Sequence, residues 1–484
     1  MENEEAKEIT RKKKEALFYK DKHIIECNPN TSKKNLVELT GINPESYDII
    51  KGKVLTKEFK EASRIFSGKI AQAERFIKTQ PIFYDKSGLW WLWNNNRKCW
   101  EMKDEIDISN CLYLSLGFDT TNAKERAEIL QALKQIGRLS APKPIPTNWI
   151  QFKDTFFDIK TGEEISVTSD YFAINPIPYK LHSEKHLLTP MMDNLFEEWV
   201  GKEYVKTLYE IIAYCLIPDY PIHRLFCFIG SGLNGKGCFL RLLKKFIGIE
   251  NCCATELDSL LNSRFEVTRL HKKLVCVMGE TNFNEMSKTS ILKKLTGQDL
   301  IGFEYKNKNP FDDINYAKII IATNSLPATT DKTDGFYRRW MIIDFPNQFS
   351  EKEDVLDRIP EEEYECLAVK CVTLIMPDLL KNRQFHNEGT IIERKEKYES
   401  KSNFLEEFIK TNTDEDFNGY ITKAEFYKRF ISWCKENRHR ELSETSVGMF
   451  MKKINISESK KYFDWMYDGK GGQARIWLGL KWRE

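Results

Sequence analysis

The stretch "FIGSGLNGKGCFLRLL", residues 228–243, decides how this chain is read. Glycines at 230, 232 and 235 stand between an apolar run and a run with helical spacing, and Lys236 follows the last of them. Glycine adopts backbone angles that other residues avoid, so successive N–H groups of such a loop can face a chain of phosphates. The helix behind it adds the positive end of its dipole, and the Lys236 ammonium reaches between the outer phosphates. Gly230, Ser231, Gly232, Leu233, Asn234, Gly235, Lys236, Gly237 and Cys238 are therefore the expected nucleotide-binding residues. Gly237 stands where loops of this kind carry a Ser or Thr for magnesium, and the Cys238 thiol is a poor ligand for that ion.

Working outward, "RLFCFI" (224–229) reads as a buried strand that ends at the loop. In "HKKLVCVMGETN" (271–282), residues 274–278 form a second buried strand, with Glu280 just past its end. Ligands of open α/β sheets bind beyond the carboxyl ends of the strands. Glu280 is thus expected to hold Mg²⁺ through water or to orient the attacking water, and the residues alone do not separate these roles. A third strand, "AKIIIATN" (317–324), ends in Asn324, placed for the γ-phosphate or the water. "TDGFYRRWMIIDF" (333–345) sets Arg338 and Arg339 at the start of a fourth. Strands alternating with helices from 224 to 345 predict an α/β domain with a parallel-rich sheet.

The rest of the chain frames this core. Its 484 residues exceed one typical domain, and 41% hydrophobic with 30% charged residues is ordinary for a globular protein. Residues 1–60 read as a charged tail with a short helical piece, and 61–190 as a domain preceding the ATPase core of 191–350. Within 61–190, aromatic strands flank Asn94, Asn95 and Asn96 as a hairpin, and a helix covers 123–139. Residues 190–216 read as an amphipathic helical pair that buries Leu195, Trp199, Val200, Leu208, Ile211 and Ile212. Residues 351–400 read as a helical connector. Residues 401–484 read as helices followed by a strand-turn-strand around Gly469, Lys470, Gly471 and Gly472, the pattern of a small winged-helix domain.

No apolar run reaches the roughly 18–20 residues that span a bilayer, and the charged start lacks a secretory core, so a cytosolic protein without a membrane partner is expected. Among the 12 cysteines, Cys215, Cys227, Cys276 and Cys371 lie in apolar runs as small hydrophobes, and no Cys/His spacing suggests zinc or disulfides. Lys plus Arg number 74 against 72 Asp plus Glu, a net charge of +2. A nucleic-acid binder with that balance must concentrate its cations locally.

The phosphate loop, "ETN" (280–282), "KKLTGQD" (293–299), "IIIATNSLP" (319–327) and "GFYRRW" (335–340), in this order, resemble the superfamily 3 helicases, and within them the poxvirus and phage/plasmid primase-helicase group. The resemblance extends upstream over 157–181 and 208–237, downstream over 404–453 and 474–482, and covers residues 60–482 in all. It implies a P-loop, AAA+-like ATPase with a helical N-terminal region and a C-terminal winged helix. It also implies a homo-hexameric ring that hydrolyses ATP with Mg²⁺ and moves on single-stranded and forked DNA, served by a separate primase or polymerase chain.

In that family an arginine finger crosses the subunit interface, carried over here onto Arg339, with Arg338 second. A hairpin projects into the channel, carried over onto 300–316 with Lys306 and Lys308 as its DNA-binding tip. The alternative reading is an ATP-regulated origin-binding or loading assembly without processive unwinding. One further motif stands apart: "DEDFNGYITKAE" (414–425) fits an EF-hand calcium loop through Asp414, Asp416, Asn418, Gly419 and Glu425. With no partner motif in the chain, it is expected to be a polar turn capping the next helix.

Overall fold

A computed structural model describes residues 25–26, 47–50, 53–56, 68–116, 123–181, 187–230, 232–279, 285–286, 288–350, 354–402, 404–436, 441–463 and 471–483. Contacts divide the chain into two units, residues 1–93 with 101–142, and residues 94–100 with 143–484. In the first unit the helices Lys69–Thr79 and Ala123–Leu139 pack Ala73, Phe76, Ile129 and Leu133 against Ile82, Trp90 and Leu92. Much of the 1–60 tail lies outside the described residues.

The second unit is built on a mixed α/β core with a five-stranded, wholly parallel sheet. Its strands are β1 (Leu225–Ile229), β2 (Cys252–Thr255), β3 (Val275–Met278), β6 (Lys318–Thr323) and β7 (Trp340–Asp344), in the spatial order β2-β3-β6-β1-β7. Between β3 and β6 in sequence, β4 (Leu300–Phe303) and β5 (Phe311–Ile314) form an antiparallel hairpin. The central strands β1 and β6 carry the apolar runs 225–229 and 319–322 because both of their faces are covered. One cluster holds Phe226, Phe228, Ile320 and Ile343, and the other holds Leu225, Cys227, Ile319 and Ile321. Strand β2, absent from the sequence reading, is four half-exposed residues with no apolar run to announce it.

The helices Pro190–Val200 and Val205–Cys215 bury the six apolar positions expected of them. Glu363 accepts the Met191 and Met192 N–H groups at 2.9 and 3.1 Å, satisfying two donors of the first helix start. Cys215, Cys227, Cys276 and Cys371 are fully buried. Ile150, Phe152 and Ile177 share the core of the parallel sheet. Among the described residues, no helix is long and apolar enough to cross a membrane.

The end of the chain runs helix α2 (Phe404–Asn412), strand β8 (Thr413–Thr422), helices α3 (Lys423–Glu436) and α4 (Glu444–Lys453), then strands β9 (Glu458–Phe463) and β10 (Gly472–Trp482). The three strands form a sheet in the order β8-β10-β9 around Phe408, Phe426, Phe430 and Trp477. The turn at Gly469 and Lys470 falls outside the described residues.

Strand β8 corrects the reading of 414–425 as a turn. Asp414 faces Lys481 and Glu415 faces Leu480 across the sheet, with a bulge over the next four residues before Tyr420 faces Leu478. Asp414 pairs with Arg483 at 2.8 Å, Asp416 with Lys481 at 3.5 Å and Glu425 with Arg429 at 2.9 Å, so these carboxylates turn to separate cations. Gly419 fits because a Cβ there would meet the Leu480 carbonyl at 2.8 Å. Asp, Asn and Gly are poor strand formers, and cross-strand cations outweigh that preference here. The capping part of the expectation is present one residue earlier, where Thr422 Oγ1 accepts the Glu425 N–H at 3.3 Å.

Candidate functional site

Strand β1 delivers the chain to the loop at the carboxyl edge of the sheet, and helix α1 (Lys236–Ile247) carries it away. The loop is held by its own geometry. Gly232 and Gly235 have φ of 101° and 89°, and Leu233 has φ of 49°, an uncommon value for a residue with a Cβ. The Phe349 N–H holds Leu233 there by donating to its carbonyl at 2.7 Å. A Cβ on Gly235 would strike the Trp199 ring at 2.4 Å, and one on Gly230 would overlap the Asn234 side chain at 1.8 Å. Trp199 and Asn234 therefore shape the loop from beneath, and Asn234 Nδ2 donates to the Phe345 carbonyl at 3.4 Å.

Lys236 is nearly buried, and its ammonium donates to the Gly230 carbonyl at 2.5 Å and to Asn324 Oδ1 at 3.4 Å. Asn324 lies 88 residues on in sequence, yet β6 is the immediate neighbour of β1, with Ile229 facing Thr323. The structure thus brings Lys236, Asn324 and the described loop residues to one place. Ser231 and Glu280 lie outside the described residues. The loop suits a phosphate chain: Gly232 and Gly237 open onto free space, and the first turn of α1 points its N–H groups the same way.

Magnesium fits less directly. Gly237 offers no side-chain oxygen, and Cys238 Sγ accepts an Arg241 N–H at 3.5 Å, so neither residue offers magnesium a good side-chain ligand. A Cβ on Gly237 meets nothing within 4 Å, and its φ is not in the left-handed region. Gly237→Ser is expected to fold and to lower the magnesium concentration for half-maximal ATP turnover by about fivefold, the equivalent of one net hydrogen bond of roughly 1 kcal/mol. A magnesium titration of ATP turnover measures it, and an unchanged midpoint would place the metal away from residue 237.

The two arginines sit at the other end of the sheet. Trp340 faces Leu225 and Asp344 faces Ile229, so Arg338 and Arg339 precede the amino end of β7. The loop lies past the carboxyl end of β1, about 13 Å along the strands. Their environments differ. Arg339 is buried, donating from Nε to Thr296 Oγ1 at 2.9 Å, from Nη2 to the Lys293 carbonyl at 3.2 Å and from Nη1 to the Gly335 carbonyl. Burial, then the charge of Arg338, lowers its pKa. Arg338 is exposed. Arg339 thus spends its donors inside its own chain, while Arg338 faces solvent.

The β4–β5 hairpin carries Lys306 and Lys308 exposed at its tip, with Asn307 between them at φ of 61°. Its base is anchored rather than loose. His271 contacts Tyr305 Oη at 3.0 Å and Asp313 Oδ2 at 3.1 Å, Lys272 pairs with Asp313 at 2.7 Å, and the Tyr305 ring stacks on Phe311. Burial would raise the Asp313 carboxyl, but His271 and Lys272 hold it well below the usual range. In the C-terminal part, a groove of about 580 Å³ runs between α3, α4 and the sheet, lined by Lys423, Lys452 and Arg475 together with Glu444 and Glu458, and Glu458 pairs with Lys423 at 2.7 Å.

The sequence reading missed Asp344 and its partners. Asp344 closes β7 beside the loop and meets Lys397 at 2.9 Å and Lys401 at 3.1 Å, from the helix Ile391–Ser402. Burial would raise its carboxyl, yet the two ammonium groups hold it below the ordinary range. A carboxylate ending an apolar strand was the available signal, but its lysines lie more than 50 residues further on.

Known proteins resemble this chain in part. Residues 228–339 match a family of unknown function, DUF5906. A protein of Acanthamoeba polyphaga mimivirus described as "Putative helicase L207/L206" is 24% identical over 263 residues, which is 49% of this chain and 27% of that protein. The match thus spans about a quarter of the viral relative. Two apo structures of the C-terminal region of NrS-1 superimpose with TM-scores of 0.42 and 0.44, at 13% and 15% identity, covering 85% of this chain and 99% of each of those. The chain has weak homology to a viral protein described as a helicase.

Proposed function

We propose that the protein is an ATP-driven DNA helicase acting in the replication of a virus, plasmid or mobile element. The observation that carries this reading is the convergence of Lys236 on the Gly230 carbonyl and on Asn324 at the carboxyl ends of β1 and β6. A buried ammonium under a glycine loop and at a helix start suits the outer phosphates of ATP. The homology to a viral protein described as a helicase supports the same class.

In this reading the loop and the start of α1 hold the phosphates, Lys236 neutralises the outer pair, and Asn324 orients the γ-phosphate or the attacking water. Glu280 would either hold Mg²⁺ through water or orient the attacking water, and the metal when bound would supply charge neutralisation at the phosphates. The strand length between Arg338 and its own loop supports a role in trans, in which Arg338 acts on the nucleotide of a neighbouring subunit in a homo-hexameric ring. Lys306 and Lys308 reach the DNA backbone in the channel. The helix–strand–helix–helix–strand–strand order of the last 80 residues supports a winged helix.

Strand displacement on a forked duplex, with and without ATP, tests the proposal. Replacing Lys306 and Lys308 together by Ala is expected to leave basal ATP turnover near normal and to abolish displacement, because the tip contributes to no packing. ATP turnover and DNA binding without any displacement by the unaltered protein would instead favour the loading assembly.

A further inference from the structure

We propose that Tyr398 is a positioning residue that couples the Asn324 loop of one nucleotide site to the arginine segment serving the next. The inference rests on the ATPase-ring reading and deepens it. Tyr398 lies on the helix Ile391–Ser402 and is fully buried. Its hydroxyl donates to the Pro327 carbonyl at 2.8 Å, three residues beyond Asn324. Its ring meets Phe336 at 5.2 Å and Trp340 at 4.8 Å, both nearly edge-on. Phe336 and Trp340 bracket Arg338 and Arg339 in sequence. One side chain therefore holds the loop that leaves β6 with its oxygen and the segment that enters β7 with its ring.

The surrounding contacts make this link stiff. The Leu326 N–H donates to the Lys401 carbonyl at 3.3 Å on the same helix, and Leu326, Phe336, Tyr337, Trp340 and Tyr398 share one core. The Pro327 ring fixes its own φ, and the Tyr398 hydroxyl and the Lys401 carbonyl hold the loop at Pro327 and Leu326. Packed interiors answer a push by changing between discrete arrangements, not by yielding gradually. A pull on Asn324 by the γ-phosphate then reaches Arg338 through Pro327, Tyr398 and the Phe336–Trp340 rings. The chemical requirement is specific: a hydroxyl on one side and an aromatic face on the other.

Tyr398→Phe keeps the ring and removes only the hydroxyl. The assay is steady-state ATP turnover against ATP concentration, with nucleotide affinity measured by direct titration and folding by thermal melting. The expected result is unchanged affinity and a melting temperature within a few degrees. Turnover falls by about five- to tenfold, and the Hill coefficient drops towards 1. A purely structural Tyr398 would lower the melting temperature and leave cooperativity intact. Phe336→Leu cuts the same link from the other side, is expected to show the same loss, and the pair together should lose no more than either alone. Normal turnover and cooperativity in Tyr398→Phe, or in Phe336→Leu should the first variant not fold, overturns the coupling. A Hill coefficient of 1 in the unaltered protein also overturns it and leaves the ATPase assignment standing, whereas no ATP turnover at all removes both.

Discussion

Lys236→Ala is expected to keep its fold and to lose ATP turnover by at least about 10²–10³-fold, the scale of removing one electrostatic stabiliser from a phosphoryl-transfer site. The side chain opens α1, where Ala is an excellent helix former, so the helix has no reason to fray. What disappears is the ammonium that bridges the Gly230 carbonyl and Asn324. ATP at about 100 times its dissociation constant should stabilise the unaltered protein by roughly 2.7 kcal/mol and the variant far less. Thermal melting with and without ATP measures the binding loss, and phosphate release measures the catalytic loss. Near-normal turnover from a folded variant would end the assignment of the 230–237 loop as the nucleotide site.

The second large effect separates the two arginines. Arg338→Ala is expected to bind ATP normally and hydrolyse it about 10³–10⁵-fold more slowly, the range for an arginine finger acting in trans. Its fold should be unaffected because Arg338 is exposed. Arg339→Ala should instead lower the melting temperature, since Thr296 and the carbonyls of Lys293 and Gly335 would lose their donor. Mixing Arg338→Ala with Lys236→Ala should restore part of the activity, because some interfaces then join an intact Lys236 to an intact Arg338. Steady-state turnover of each variant alone and mixed, with mass measurement to confirm mixed rings, is the assay. Mixed rings without rescue would exclude Arg338 as a trans-acting group.

Much of the core was legible in the chain because its signals are local. The runs ending at Ile229 and Met278 and the run 319–322 are apolar throughout, as expected of strands buried on both faces, and each appears where it was expected. The β4–β5 hairpin was equally visible, since Asn307 and its polar neighbours interrupt two strand-like runs. Strand β2 was hidden because an edge strand of four residues needs little apolar sequence. Strand β8 was hidden by a composition that favours turns, and its partners, Lys481 on β10 and Arg483 just past its end, lie more than 60 residues further on.

The sequence by itself determined the parallel α/β core, the glycine loop with Lys236 behind it, and the order in which Asn324 and the arginines follow. Each of these depends on backbone freedom and hydrophobic period, properties carried by neighbouring residues. Only the tertiary structure decided that β6 lies against β1, which sets Asn324 beside Lys236, and that Trp340 faces Leu225, which sends the arginines to the far end of the sheet. It alone set apart the surroundings of Arg338 and Arg339, two identical side chains one residue apart. One points into Thr296 and two carbonyls and the other into solvent, and that difference arises from what the strand packs against, which no local pattern encodes.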